Sequence, residues 1–260
     1  MGIKQTILKD QLPLKYQDYE LIETKDGLTH SVYLLGSSYV LKIVEVDELD
    51  ILLNEQKLLN NIFFLRVPKC TEIVQKKEYI FAFYTQINGE SIYTPNTNHI
   101  KQIALFLKKF HSISQNIATS NSAIFTKGYL KSLILETKEK KLLKYFDSIE
   151  CELNNDGIIH GDLFCDNVKF YENNLTGVYD FMQACSGDFR FELAVVALSW
   201  CFDNDSLNIH KVDVLLKNYE IEISLTLFKE YIKFALLYYI TKRYLVKIEY
   251  KDLLFKMESL

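Results

Sequence analysis

The stretch Gly157–Asp180, GIIHGDLFCDNVKFYENNLTGVYD, decides the reading of this chain. An apolar run leads into His160-x-Asp162-x-x-x-x-Asn167, and Asp180-Phe181 follows thirteen residues after Asn167. Phosphoryl transfer needs a carboxylate beside the attacking hydroxyl and hard oxygen ligands for Mg²⁺, whose charge neutralises the phosphates. Asp162 suits the first role, and Asn167 and Asp180 suit the second. This order and spacing are those of a catalytic loop for phosphoryl transfer.

The segment also carries a geometric expectation. Val168–Glu172 and Leu175–Tyr179 read as strands, joined at Asn173-Asn174 because Asn tolerates positive φ. Pairing Glu172 with Leu175 sets a register that places Asn167 opposite Asp180. The short pattern H-x-D-x-x-x-x-N also arises by chance, with Asp162 capping a turn and Asn167 opening a strand. His160 reads as a buried imidazole that holds the loop rather than as a chemical group.

Working outward, the first third is strand-rich. Tyr19–Thr24, Ser31–Leu35, Tyr39–Val44, Cys70–Gln75 and Tyr79–Tyr84 are β-prone, with Gly36-Ser37-Ser38 as a hairpin turn. Asp47–Asn60 has helical spacing of its leucines. The pattern predicts a five-stranded antiparallel sheet with one inserted helix. Beyond Asn88-Gly89 the chain turns helical, with helices expected over His99–Ser114, Leu130–Phe146, from Leu193, and through the tail Leu225–Leu260. The fold class is therefore α+β, a protein-kinase-like two-lobed fold. Residues 1–86 form a β-rich nucleotide-binding lobe, and residues 87–260 a mostly helical lobe with the catalytic loop and acceptor site. A ligand is expected in the cleft between such lobes.

The first lobe supplies candidate nucleotide contacts. Lys42 lies among apolar residues on a strand, where a phosphate-pairing lysine belongs, and Glu55 on the next helix is its ion-pair candidate. A solvated strand lysine and a helix surface charge are the plainer readings, and Glu48 is a rival partner. The loop Lys25–Ser31 has one glycine and no G-x-G-x-x-G, but backbone N–H groups near His30 and Ser31 suit a phosphate. Tyr84-Thr85-Gln86-Ile87 is the candidate hinge, offering backbone groups of Thr85 and Ile87 to an adenine edge.

Composition narrows the function class. With 260 residues, 48% hydrophobic and 25% charged, the balance is that of an ordinary globular chain. A formal net charge of -4, without a long basic block, argues against nucleic acid as a partner. The five cysteines form no C-x-x-C pair and read as reduced, mostly buried thiols. No signal-like N-terminus and no apolar run of membrane-spanning length is present, so the expected setting is cytoplasmic, with no membrane partner. Oligomeric state is not legible.

Gly157–Phe202 resembles the aminoglycoside phosphotransferase and choline kinase superfamily, and within it the type II homoserine kinases. His160-Gly161-Asp162-Leu163-Phe164-Cys165-Asp166-Asn167-Val168 is close to their H-[AG]-D-L-F-x-D-N-V, and Leu175–Phe181 resembles their L-[ST]-G-[VIL]-[IY]-D-F. Ala184-Cys185, Glu192-Leu193-Ala194 and Trp200-Cys201-Phe202 follow in kind, and Phe234–Leu245 with Arg243 is a fainter echo. The resemblance implies that Asp162 is the catalytic base, that Asn167 and Asp180 bind Mg²⁺, and that Lys42 binds ATP phosphates. Glu192 stands where the superfamily usually has an Asp bracing the catalytic loop. The implied cofactors are ATP and Mg²⁺, and the implied partner is a small-molecule hydroxyl acceptor, homoserine first. The chain departs from the type II enzymes in its shorter length, Gly161, the Ser186–Arg190 run and Lys42.

Choline, ethanolamine and aminoglycosides are alternative acceptors. Asp188, Tyr179 and Glu192 are candidates for an acceptor ammonium, against turn capping, hairpin packing and loop bracing. Arg190 or Arg243 would serve an acceptor carboxylate, unless each belongs to an ion pair. A non-catalytic nucleotide-binding module and a metal-dependent hydrolase built on His160, Asp162 and Asp180 are the rivals from other classes. His111 reads as a packed helix residue.

Overall fold

In β2 (Ser31–Leu35) every second residue, Ser31, Tyr33 and Leu35, is buried, the mark of a strand with one face on a core. In β3 (Tyr39–Glu45) Leu41, Lys42, Ile43 and Val44 are all buried, so this strand is covered on both faces. The computed structural model describes residues 7–24 and 30–260. The chain divides into two compact units, Met1–Asn88 and Gly89–Leu260.

The first unit holds β1 (Leu21–Glu23), β2, β3, α1 (Leu49–Asn61), β4 (Cys70–Gln75) and β5 (Tyr79–Thr85). They form a five-stranded antiparallel sheet in the order β1-β2-β3-β5-β4, with α1 inside the β3–β4 connection. One face carries Tyr33, Leu35, Leu41, Ile43, Phe81 and Phe83 and is covered by Ile7, Leu12 and Tyr16. Tyr16 stacks on Phe83 with ring centroids 3.9 Å apart. Nothing in the sequence patterning assigned residues 7–19 to a core. Each such side chain contributes roughly 1.5–3 kcal/mol on full burial.

The opposite face carries the polar residues of interest. Val40 pairs with Tyr84 and Lys42 with Ala82, so alternation puts Lys42 and Tyr84 on the same face. The Tyr84 hydroxyl donates to Glu55 Oε2 at 2.6 Å, which brings α1 onto that face.

The second unit begins with α2 (Thr97–Ser114), capped by Asn96, whose side chain accepts the N–H groups of Asn98 and His99 at 3.0 and 3.1 Å. The single helix expected over Leu130–Phe146 is two, α3 (Lys127–Thr137) and α4 (Lys140–Asp147). Lys138 between them has φ 59°, a left-handed stop that no glycine announces. Strands β6 (Gly157–Ile159), β7 (Val168–Tyr171), β8 (Asn174–Val178) and β9 (Cys185–Gly187) form two small antiparallel pairs, β6 with β9 and β7 with β8. Then come α5 (Phe189–Trp200), α6 (Ile209–Tyr219), α7 (Leu225–Leu245) and α8 (Lys251–Glu258), of which α6 was not foreseen.

Helix α5 is apolar almost all round, with Phe191 through Leu198 buried, and it packs on α7. This makes α5 a central post for the segments around it. All five cysteines are free and buried. No helix among the described residues is long and apolar enough to cross a membrane.

Candidate active site

The catalytic-loop sequence leaves β6 at Ile159 and enters β7 at Val168, so both ends are fixed by strand pairs. Between them the backbone is held from below by α5. The Glu192 carboxylate, fully buried, accepts the N–H of His160 and, at 3.2 Å, that of Gly161. Ser199, seven residues and two turns along the same helix face, takes the Cys165 N–H on its hydroxyl at 3.1 Å. Trp200 Nε1 donates to the Leu163 carbonyl at 3.1 Å. From α7 the Tyr239 hydroxyl donates to the Gly161 carbonyl. The longer Glu192 side chain therefore reaches the loop that the resemblance assigned it to brace. Ser199 and Tyr239 were missed: the heptad spacing of Glu192 and Ser199 was a usable signal, and Tyr239 gave none.

His160 ties the loop to the β7–β8 hairpin. Its Nδ1 accepts the Asp162 N–H at 3.2 Å, so the ring proton sits on Nε2, which donates to the Tyr179 carbonyl at 3.0 Å. Burial holds its pKa below the usual imidazole value. The ring packs against Phe181, centroids 4.4 Å apart. This is a structural, neutral histidine.

Gly161 has φ +78°, and a Cβ there would lie 2.3 Å from the Phe125 ring. The position needs glycine both for its backbone and for its space.

Asp162 is half-buried. The side-chain amide of Asn167 donates to the Asp162 carbonyl at 2.8 Å and to its carboxylate at 3.2 Å. Burial, and then the charges of Asp180 and Asp166, push the Asp162 carboxyl well above the ordinary carboxylate range, while the Asn167 hydrogen bond acts the other way. Burial likewise raises Asp166, with Asp180 adding to it. Asp162, Asp166 and Asp180 thus lie within electrostatic reach of one another.

The hairpin register differs from the expected one. Tyr171 pairs with Asn174 and Phe170 with Leu175, so the two-residue turn is Glu172-Asn173, at φ 47° and 61°. A bulge at Thr176 shifts the outer pairs to Lys169–Gly177 and Val168–Val178. Asn167 therefore faces Tyr179, whose N–H donates to the Asn167 carbonyl at 3.1 Å, and not Asp180. Asp180 comes one residue later in a left-handed conformation, φ 66°, unusual outside glycine. The turn is displaced because α2 grips Asn173: Gln102 donates to its carbonyl at 2.8 Å, and His99 Nε2 lies 3.1 Å from its side-chain oxygen.

The donor set of Asn167 and Asp180 suits a hard cation. The Asn167 amide nitrogen is committed to Asp162, which leaves its Oδ1 as a ligand atom, and the acidic surroundings favour positive charge. Among the described residues no three His, Cys, Asp or Glu side chains are arranged to hold a metal alone. Mg²⁺, bound through one or two protein oxygens with water and phosphate completing the shell, fits that arrangement.

The residues considered for the acceptor have structural partners. Asp188 is buried, caps α5 through the N–H groups of Arg190 and Phe191 at 2.7 and 3.3 Å, and pairs with the Arg190 guanidinium at 2.7 Å. Arg243 pairs with Asp252 at 3.1 Å. The Tyr179 hydroxyl donates to the Asp166 carbonyl. His111 is buried on α2 and stacks on Phe189.

In the first unit, Lys42 and Glu55 are buried on one sheet face, while the rival Glu48 engages His30 at 3.0 Å. Ser31 is buried at the start of β2. The Thr85 N–H is taken by the Lys69 carbonyl at 2.9 Å and the Gln86 N–H by Ser38, while Ile87 makes no backbone hydrogen bond among the described residues. Residues 25–29 of the expected phosphate loop lie outside the described residues.

Comparison with known proteins now bears on this geometry. The chain is 33% identical over 153 residues to the homoserine kinase of Bartonella tribocorum, an alignment covering 54% of this chain and 48% of that protein. It spans about half the length of the curated relatives it matches. Among solved structures, the GDP complex of aminoglycoside 2'-phosphotransferase-IIIa superposes with a TM-score of 0.67 at 15% identity, covering 92% of this chain and 91% of that one. The macrolide 2'-phosphotransferase MphH of Brachybacterium faecium gives 0.65 at 16% identity, covering 94% and 93%. These two show the fold, an α+β protein-kinase-like one. The model of the phosphotransferase enzyme family matches residues 20–213, well over half of the chain, and the chain belongs to that family.

Proposed function

We propose that this protein transfers the γ-phosphate of ATP to the hydroxyl of a small amino-alcohol, with homoserine the first candidate. The observation that carries the reading is the side chain of Asn167, bonded to both carbonyl and carboxylate of Asp162 at the end of the hairpin that leads to Asp180. The names of its curated relatives, homoserine kinases, support the acceptor.

In this reading Asp162 accepts the hydroxyl proton as the acceptor oxygen attacks. Its carboxyl, shifted upward by burial and oriented by Asn167, takes up a proton more readily than an exposed aspartate does. Asn167 Oδ1 and Asp180 would hold Mg²⁺, which supplies charge neutralisation of the phosphates when bound. In the first unit, Lys42 binds ATP phosphates and Glu55 fixes it, the backbone at Ser31 offers N–H groups to phosphate, and the adenine edge meets the backbone of Ile87 and, since the Thr85 N–H is engaged by Lys69, only the carbonyl of Thr85. Glu192 and Tyr239 keep the loop rigid, so the reacting groups need little reorganisation.

A second acceptor class is favoured by one observation. Arg190 and Arg243 each have an intramolecular partner, so neither is spare for an acceptor carboxylate. Choline, ethanolamine or an aminoglycoside would need none. The test is detection of phosphorylated product with Mg-ATP against homoserine, threonine, choline, ethanolamine and an aminoglycoside. Selective phosphorylation of homoserine supports the first reading. Turnover of choline or an aminoglycoside with homoserine inert would replace it by the second.

A further inference from the structure

Behind the loop lies a polar chain that the chemistry above does not use, with His111 and Glu192 buried and Tyr219 half-buried at its outer end. The His111 ring, 2% exposed, stacks parallel on Phe189 with centroids 3.9 Å apart. Its Nδ1 is 2.8 Å from the hydroxyl of Tyr219, the last residue of α6. Its Nε2 is 3.8 Å from Glu192 Oε2, and makes no hydrogen bond among the described residues. Glu192 in turn holds the N–H groups of His160 and Gly161.

The protons in this chain can be assigned. Burial raises the Tyr219 hydroxyl pKa, so it stays protonated and donates to His111 Nδ1. Burial lowers the His111 pKa, so the ring is neutral and carries its single proton on Nε2. That proton faces Glu192 Oε2. Without the tyrosine hydroxyl, Nδ1 becomes a buried acceptor without a donor, and the ring is free to adopt the other tautomer. Nε2 would then bring a lone pair to within 3.8 Å of the carboxylate, replacing electrostatic attraction with repulsion.

We propose that Tyr219 is a positioning residue for phosphoryl transfer: through His111 it orients the Glu192 carboxylate that fixes His160 and Gly161, and so sets the placement of Asp162. This rests on the kinase reading for its effect on rate, although not for its effect on the loop. Next to the tyrosine, Lys108 of α2 pairs with Glu220 at 2.5 Å.

The test is Tyr219→Phe, which removes one oxygen and leaves the ring. Hydrogen–deuterium exchange of the 160–161 amides is expected to quicken about tenfold, because their acceptor is no longer held. The turnover number is expected to fall about five- to tenfold, with KM for Mg-ATP unchanged. Tyr231→Phe is the control: it removes a 2.7 Å hydroxyl bond to the Glu152 carbonyl in the same unit and is expected to leave 160–161 exchange as in the parent protein. Unchanged exchange in Tyr219→Phe, or equal acceleration in both variants, overturns the proposal. Absence of transfer to any acceptor in the parent protein would overturn the kinase reading instead, and the exchange result would still decide the role of Tyr219.

Discussion

Glu192 Oε1 lies 3.2 Å from the Gly161 backbone nitrogen, and the same carboxylate takes the N–H of His160, so one buried side chain of α5 satisfies two successive amides of the segment between β6 and β7. A carboxylate is suited to this because it is an acceptor at both oxygens. Glu192→Gln keeps the shape but turns one of those atoms into a donor facing a donor. The expected cost is about 1–3 kcal/mol, the usual penalty for leaving a buried group unsatisfied, read as a lower midpoint in denaturant unfolding. A midpoint equal to that of the parent would mean that the brace carries no stability.

Gly161→Ala is expected to lose about 1–3 kcal/mol from backbone strain alone, since φ is +78°. The methyl group would also collide with Phe125, a core ring 2% exposed. Gly161→Ala combined with Phe125→Leu is therefore expected to recover turnover relative to Gly161→Ala, because the smaller side chain relieves the collision. Failure of the double variant to exceed the single one would place the whole penalty in the backbone.

The lowered pKa of His111 has a pH consequence. In the folded state the ring binds its second proton only below the ordinary value of 6.5, while the unfolded chain binds it near 6.5. Between those two values the unfolded state holds more protons, so stability rises with pH and is lost as pH falls below 6.5. The slope from this one group approaches roughly 1.4 kcal/mol per pH unit. Chemical unfolding between pH 5 and 7 is expected to show a shallower slope for His111→Phe than for the parent. Parallel slopes would show that the ring titrates alike in both states.

Asp180→Asn is expected to raise the Mg²⁺ concentration needed for half-maximal rate by roughly tenfold or more, since one anionic ligand becomes neutral. An unaltered Mg²⁺ dependence would remove Asp180 from the metal site.

Much of the fold was legible because its elements obey simple periods. The β-prone runs on either side of the Gly36-Ser37-Ser38 turn announced the sheet, and the observed β2, β3, β4 and β5 fall on the expected strands to within a residue. What local pattern could not give were features set by distant partners. The hairpin turn fell at Glu172-Asn173 because α2 holds Asn173, and a glutamate at φ 47° is not what turn preference selects. The break at Lys138 and the packing of Ile7, Leu12 and Tyr16 on the sheet are of the same kind.

The site was legible in part. Asp162 and Asn167 are joined by hydrogen bonds, and Asp180 acts electrostatically on Asp162. Beyond the spacing of Ser199 from Glu192, the support from Tyr239 and the space Phe125 denies at Gly161 depend on helix packing that no short motif records. Asp188 and Arg190 take the structural alternatives weighed for them, a cap and an ion pair at the start of α5.

The most direct measurement is ADP release from Mg-ATP in the presence of the best acceptor, compared between the parent protein and Asp162→Asn, with nucleotide affinity measured alongside. The variant is expected to bind nucleotide as the parent does and to turn over at least roughly 10²-fold more slowly. A variant that releases ADP at close to the parent rate would contradict it.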